Sequence, residues 1–187
     1  MTGTTPRRER LLSAAADLFA GRGYHAVGID DSGAAAGITG PGGYRHFAGK
    51  QALLEDLCDR AMTRMLEGAR ATTAASPDAG AALHGLLDLH VAFAVGERAL
   101  LGVWAREQRA LSDDVRRSLR RRQRAYEQVW RGVLARLRPD LSDAEALLGV
   151  TAVLALLNST ALVDTGVPVE RLAELLRRMA LGALLSG

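Results

Sequence analysis

Residues 29–50 read IDDSGAAAGITGPGGYRHFAGK. The alanine-rich residues 30–36 favour a helix. Gly37 stops it, because a helix C-terminus commonly ends on a residue at positive φ, which glycine adopts without a Cβ clash. Ile38 follows as an apolar plug. Thr39 offers an N-cap hydroxyl to a second helix, and Pro41 sits in the first turn of that helix, where no N–H is required. The second helix ends in Tyr44-Arg45-His46-Phe47. Two short helices around a glycine turn predict a helix-turn-helix, whose second helix enters the major groove of DNA.

Outward from this stretch the pattern stays helical. Leu11, Ala15, Leu18 and Phe19 recur at helical spacing over residues 7–20, and Gly21-Arg22-Gly23 ends that helix. Arg7, Arg8 and Arg10 crowd its start, where cations oppose the helix dipole. Stability does not explain them there; phosphate contact does. Downstream, the apolar spacing predicts helices over about 49–73, 78–95 and 97–110. Further helices run from a cap at 112–114 to about 137, from a cap at 141–143 to about 163, and from a turn at 166–168 to about 185. No alternating strand pattern interrupts them. The expected fold is all-α, with nine helices: a three-helix head over residues 1–49 and a six-helix body over residues 50–187.

Composition narrows the class. Of the 187 residues 48% are hydrophobic but only 4% aromatic, so alanine and leucine must do most of the packing, as helices allow. Residues 1–50 carry six basic side chains against four acidic, which places +2 of the net +3 in the head. The lone Cys58 excludes an intramolecular disulfide and a thiolate metal site, and fits a reducing compartment. The N-terminus has no apolar signal core. The longest apolar run, residues 146–157, is broken by Thr151 and falls short of the ~20 residues of a membrane span. A cytoplasmic protein without a membrane partner is expected.

Residues 7–54 resemble the DNA-binding domain of tetracycline-repressor (TetR) family transcription regulators. The carriers are Leu11-Leu12, Ala15-Ala16 and Leu18-Phe19, then Gly23-Tyr24, Ala35-Ala36-Gly37-Ile38-Thr39, Tyr44-Arg45-His46-Phe47 and Lys50. The rest of the chain matches only in length and helical pattern. Ser32 and Gly43 stand where the family has aliphatic residues. The resemblance implies a dimeric, ligand-responsive regulator, a repressor, that meets a palindromic operator in double-stranded DNA. It also implies that the last two helices pair with those of a partner chain in a four-helix bundle.

Read residue by residue, Tyr44, His46 and Lys50 are donors suited to phosphate oxygens, with Arg7 beside them. The resemblance carries the same phosphate role onto Tyr44 and Lys50. Thr39 and Arg45 are the side chains able to reach base edges, and Gly40 permits close backbone approach. Phe47 is better read as a core plug. In the body, His90, Phe93, Trp104, Tyr126, Trp130 and Asn158 are large or polar-tipped groups set in apolar stripes, and are candidates to line a ligand cavity; taken singly, each also suits core packing. The implied ligand is a small, mostly apolar or amphipathic effector. The arginine run at 116, 117, 120, 121, 122 and 124 reads as a charged outer face, or as a site for an anionic head group, which makes an acyl-coenzyme A one specific candidate. The last two helices are apolar on nearly every side and so require burial against a second chain. Leu147, Val150, Leu154, Leu157, Leu172, Leu176 and Met179 are the expected interface. No catalytic constellation, metal-ligand cluster or cofactor fingerprint is present: Gly49-Lys50-Gln51 lacks the earlier glycine and the Ser/Thr of a phosphate loop. A helical carrier or enzyme with a degenerate head is the competing class, favoured only by Ser32 and Gly43.

Overall fold

Leucine and alanine at helical spacing, with caps at the breaks, leave little room for any other element. In the computed structural model, residues 6–38, 47–163 and 166–186 are described. Among them are eight α-helices and no strand: α1 (Pro6–Arg22), α2 (Ile29–Ala35), α3 (Lys50–Ala75), α4 (Ala79–Gly96), α5 (Arg98–Glu107), α6 (Asp113–Leu137), α7 (Asp143–Asn158) and α8 (Val169–Leu185). The expected third helix of the head falls on residues 39–46, outside the described residues. The other eight agree with the expected set.

Local chemistry sets the ends. Asp78 caps α4, its carboxylate accepting from the Ala81 N–H at 2.8 Å. At α7, Ser142 Oγ accepts from the Glu145 N–H while Glu145 Oε2 accepts from the Ser142 N–H at 2.8 Å, a reciprocal capping box. That helix stops at Asn158, five residues before the expected end. Beyond it the Ser159 hydroxyl donates to the Leu156 carbonyl, and a tighter 3-10 turn, Ser159–Ala161, takes over.

By its internal contacts the chain forms two units. The first comprises Met1–Ala61 and Ala99–Leu119, so the start of α3 and all but the first residue of α5 belong with the head. Leu11, Phe19, Leu53 and Leu54 are completely buried, and the Phe19 and Tyr24 rings meet edge to face at 5.2 Å. Phe47 is buried as well. Burial pushes the Cys58 thiol up to about 12, so this cysteine is an inert packing residue.

The second unit comprises Met62–Arg98 and Arg120–Gly187. Here α4 packs on α7 and α8, and α7 packs on α8. Its core joins Leu83, Leu86, Leu87 and Val91 of α4 to Trp130 and Leu134 of α6, Val150 and Leu157 of α7, and Leu176 and Leu184 of α8. By length and composition alone, α4 and residues Asp143–Ala161 could also cross a membrane, although the longest apolar run, residues 146–157, is short and broken by Thr151. Their apolar residues instead furnish this core.

Candidate functional site

In the head, the turn that decides the fold is built as its residues dictate. Asp31 Oδ2 accepts from the Gly28 N–H at 2.7 Å and starts α2. At the other end Gly37 takes φ +68°; its N–H donates to the Ala34 carbonyl, and the Ile38 N–H donates to Gly33 at 2.8 Å. This pair of bonds is the Schellman closure of a helix C-terminus. Ser32 is fully buried, and its hydroxyl turns back onto the Gly28 carbonyl at 3.2 Å, which satisfies the polar group within its own helix.

The residues expected to meet DNA are distributed as follows. Thr39, Gly40, Tyr44, Arg45 and His46 lie outside the described residues. Arg7 is exposed in the first turn of α1. Lys50 opens α3, and its ammonium donates to the carbonyls of Tyr24 at 3.1 Å and His25 at 3.2 Å while lying 4.7 Å from the Tyr24 ring centroid. It therefore ties the loop after α1 to the start of α3. Arg8, which dipole arguments left to phosphate, has a structural partner: it donates to Asp56 at 2.7 Å and lies over the Phe47 ring. Glu55 accepts from the Ser112 N–H at 2.9 Å, and these bonds outweigh its partial burial to hold its carboxyl below the usual range. Bonds of this kind span 48 and 57 residues of chain, and no spacing rule announces them.

In the body, His90 is the hub of a buried set. Its Nδ1 lies 2.8 Å from the Tyr126 hydroxyl and its Nε2 lies 3.0 Å from Asn158 Oδ1. Because Oδ1 can only accept, Nε2 carries the proton, and Tyr126 donates to the bare Nδ1. The rings of Phe93, Tyr126 and Trp130 surround it at 6.5, 5.8 and 6.2 Å. Burial, opposed only by the Asn158 bond, lowers the His90 pKa to about 4, so the ring is neutral. Burial raises the Tyr126 phenol, opposed by a side-chain hydrogen bond from the Trp130 indole. Five of the six ligand candidates thus sit in one unit, four of them in direct contact with His90. Trp104 lies on α5 in the first unit.

Other candidates divide by exposure. Val150, Leu154, Leu157 and Leu176 are buried within the body's own core, Leu172 is half-buried, and Leu147 and Met179 are exposed. Leu148, outside the expected interface set, is 70% exposed and lies on the same outward side of α7 as Thr151, Ala152 and Ala155. In the arginine run, Arg116 and Arg117 pair with Asp113 and Asp114 one turn earlier, and Arg122 donates to Thr63 at 2.6 Å. Arg120, Arg121 and Arg124 are exposed.

Two family models match the chain. Bacterial regulatory proteins of the tetR family match over residues 11–57, and the tetracyclin repressor-like C-terminal domain over 76–162. Among curated proteins, the HTH-type transcriptional activator FasR of Mycolicibacterium smegmatis is 39% identical over 64 residues, 34% of this chain and 29% of that protein. The HTH-type transcriptional repressor KstR2 of Rhodococcus jostii is 27% identical over 134 residues, 71% of this chain and 66% of that protein. The chain therefore spans less than two thirds of either relative's length. A TetR-family regulator from Bordetella parapertussis superposes with a TM-score of 0.86 at 23% identity, covering 98% of this chain and 96% of that one. AibR, solved with isovaleryl coenzyme A and operator DNA, superposes at 0.75 with 18% identity, covering 92% and 97%. At these identities the likeness is one of fold. A glycine-closed turn between short helices, an all-helical body and a family model on each of them lead to one conclusion: the chain belongs to the TetR family of bacterial transcription regulators.

Proposed function

We propose that the protein is a homodimeric, cytoplasmic transcription regulator, a repressor that leaves a palindromic operator when a small, mostly apolar effector binds its body. The observation that carries this reading is the family match over residues 11–57 on a head whose α2 closes at Gly37, directly before the residues suited to DNA. In this reading residues 1–49 hold the DNA and residues 50–187 hold the effector and the partner chain. Arg7, Tyr44, His46 and Lys50 meet phosphates; Thr39, Gly40 and Arg45 meet bases. The effector lies against His90, Phe93, Tyr126, Trp130 and Asn158. Leu147, Leu172 and Met179 meet the partner, joined by Leu148; the buried Val150, Leu154, Leu157 and Leu176 support that surface from beneath. The isovaleryl coenzyme A bound to AibR favours an acyl-coenzyme A among the effectors.

A mobility-shift titration against the DNA flanking the protein's own gene tests the reading. A discrete complex at nanomolar protein, abolished by Arg45→Ala and dissolved by an effector, is the expected result. Binding no tighter than to random duplex would reject it, in favour of a helical carrier with an inactive head.

A further inference from the structure

The outer face of α6 carries charge of one sign. Arg120, Arg121 and Arg124 are exposed, and none has a carboxylate partner among the described residues. At roughly 3.6 residues per turn they fall, with Gln128 and Arg131, within an arc of about 100°. From Arg120 to Arg131 this ridge runs about 17 Å along the helix axis. The opposite face, with Leu119, Tyr126, Trp130 and Leu134, is buried. Other arginines on helix faces are matched: Arg116 and Arg117 pair with Asp113 and Asp114, and on α8 Arg171 pairs with Glu174. One turn to either side of Arg120 and Arg121, however, the sequence offers arginine, serine, glutamine and alanine, and no carboxylate. Glu127, one turn beyond Arg124, accepts from the Gln123 amide at 3.1 Å. Arg131 comes no nearer than 4.0 Å to Asp143. Like charges one turn apart repel and destabilise a helix, so folding does not account for this face.

We infer that the ridge is a second nucleic-acid contact: Arg120, Arg121 and Arg124 hold phosphates of duplex DNA whatever its sequence. The inference needs only that the chain meets DNA, as the family of its head does, and not the operator or effector roles proposed above. Shape selects the class of anion. Three guanidinium groups on the convex side of a helix do not converge, so they suit a repeating polyanion rather than one small anion. Each guanidinium matches phosphate oxygens in a bidentate fork. Duplex DNA carries one negative charge per about 1.7 Å of its axis, so a ridge of this length lies against several phosphates at once. Single strands are held on aromatic platforms, whereas Tyr126 and Trp130 of this helix are buried. A basic helix that lies in a bilayer surface inserts its apolar face, and the apolar face of α6 is committed to the core.

Fluorescence anisotropy of the full chain on a labelled duplex of random sequence, at several salt concentrations, tests the ridge. Arg120→Gln/Arg121→Gln/Arg124→Gln should flatten the plot of log affinity against log salt by about 2–3 units, since each phosphate contact contributes about 0.9. Lysine at the same three positions should restore the slope, because counterion release follows charge. Arg70→Gln, which removes an exposed cation from α3, should leave it unchanged. Glutamine is nearly as good a helix former as arginine, so an unchanged thermal melt is expected of the triple variant. A second measurement uses the unsubstituted chain: random duplex should protect Arg120, Arg121 and Arg124, but not Arg70, from phenylglyoxal, read by mass spectrometry. A slope unmoved by the triple glutamine variant overturns the inference. So do an equal loss of slope with Arg70→Gln or with the lysine variant, and labelling indifferent to duplex. Equal or better protection by phosphatidylserine vesicles overturns it in favour of a membrane surface. A chain that recognises no operator but keeps ridge-dependent duplex binding fails as a regulator and leaves the inference standing. One that recognises an operator with a slope indifferent to the ridge does the reverse.

Discussion

Lys50 shows how one side chain can hold two roles. An ammonium has three N–H donors; two of them reach the carbonyls of Tyr24 and His25, which leaves the third for a phosphate. Lys50→Ala should therefore lower the stability of the head by about 1–2 kcal/mol. If the third donor meets DNA, it should also flatten the plot of log affinity against log salt by about one unit. Denaturant melts and salt titrations of the same variant read the two effects independently; a destabilised protein with an unchanged slope would make Lys50 a purely structural tie. His90 gives a pH prediction. Its folded pKa, about 4, lies below the ordinary histidine value of 6.5, so the unfolded chain binds the extra proton first. The stability contributed by neutral His90 is complete above pH 6.5 and is lost as the pH falls towards 4. The total is on the order of 3 kcal/mol. His90→Gln, which cannot titrate, should show a shallower fall in urea midpoint between pH 7 and pH 4.5 than the unsubstituted chain.

At the scale of the element, α7 separates two kinds of leucine-rich surface. Val150 and Leu157 are completely buried in the protomer, whereas Leu148, two residues before Val150 and on the opposite side of the helix, is 70% exposed. An exposed leucine among the small residues Ala152 and Ala155 is what close approach of a partner helix requires. Leu148→Arg should therefore yield a folded monomer, with full helical content and a halved sedimenting mass at micromolar concentration. Val150→Arg should instead unfold the body, since it buries an unpaired charge at a cost of several kcal/mol. A Leu148→Arg protein that stays dimeric would move the interface elsewhere. The two outcomes could not be told apart from periodicity, because a helix apolar all round gives no phase from which to choose its inner side.

For the whole molecule, the proposed function predicts that effector and DNA are coupled through one free energy, so each should weaken the other by the same factor. The factor by which an acyl-coenzyme A probe lowers operator affinity should equal that by which operator lowers probe affinity, measured by paired titrations at one salt concentration. Equal probe affinity with and without operator would sever the body from regulation. The division of labour between the units was only partly legible in sequence. The order of the expected helices placed the boundary at residues 49–50, while contacts carry the first unit through Ala61 and recruit Ala99–Leu119 to it. The ties that recruit them, such as Glu55 to Ser112 and Arg106 to the Ala20 carbonyl, join residues far apart in the chain.

What the sequence determined by itself was everything set by near neighbours. Helix ends follow from caps and a positive-φ glycine within four residues, so the closure at Gly37, the Asp78 cap and the Ser142–Glu145 box were readable from the letters. The family was legible as a resemblance carried by motif residues of the head, from Gly23-Tyr24 through Ala35-Ala36-Gly37-Ile38-Thr39 to Lys50. Only the tertiary structure decided which apolar residues face inward on α7, that Arg8 answers Asp56 rather than solvent, and that His90, Tyr126, Trp130 and Asn158 meet while Trp104 belongs to the other unit. Those outcomes depend on how separate helices pack. Packing is fixed by the shape of surfaces brought together across dozens of residues, which local periodicity does not encode.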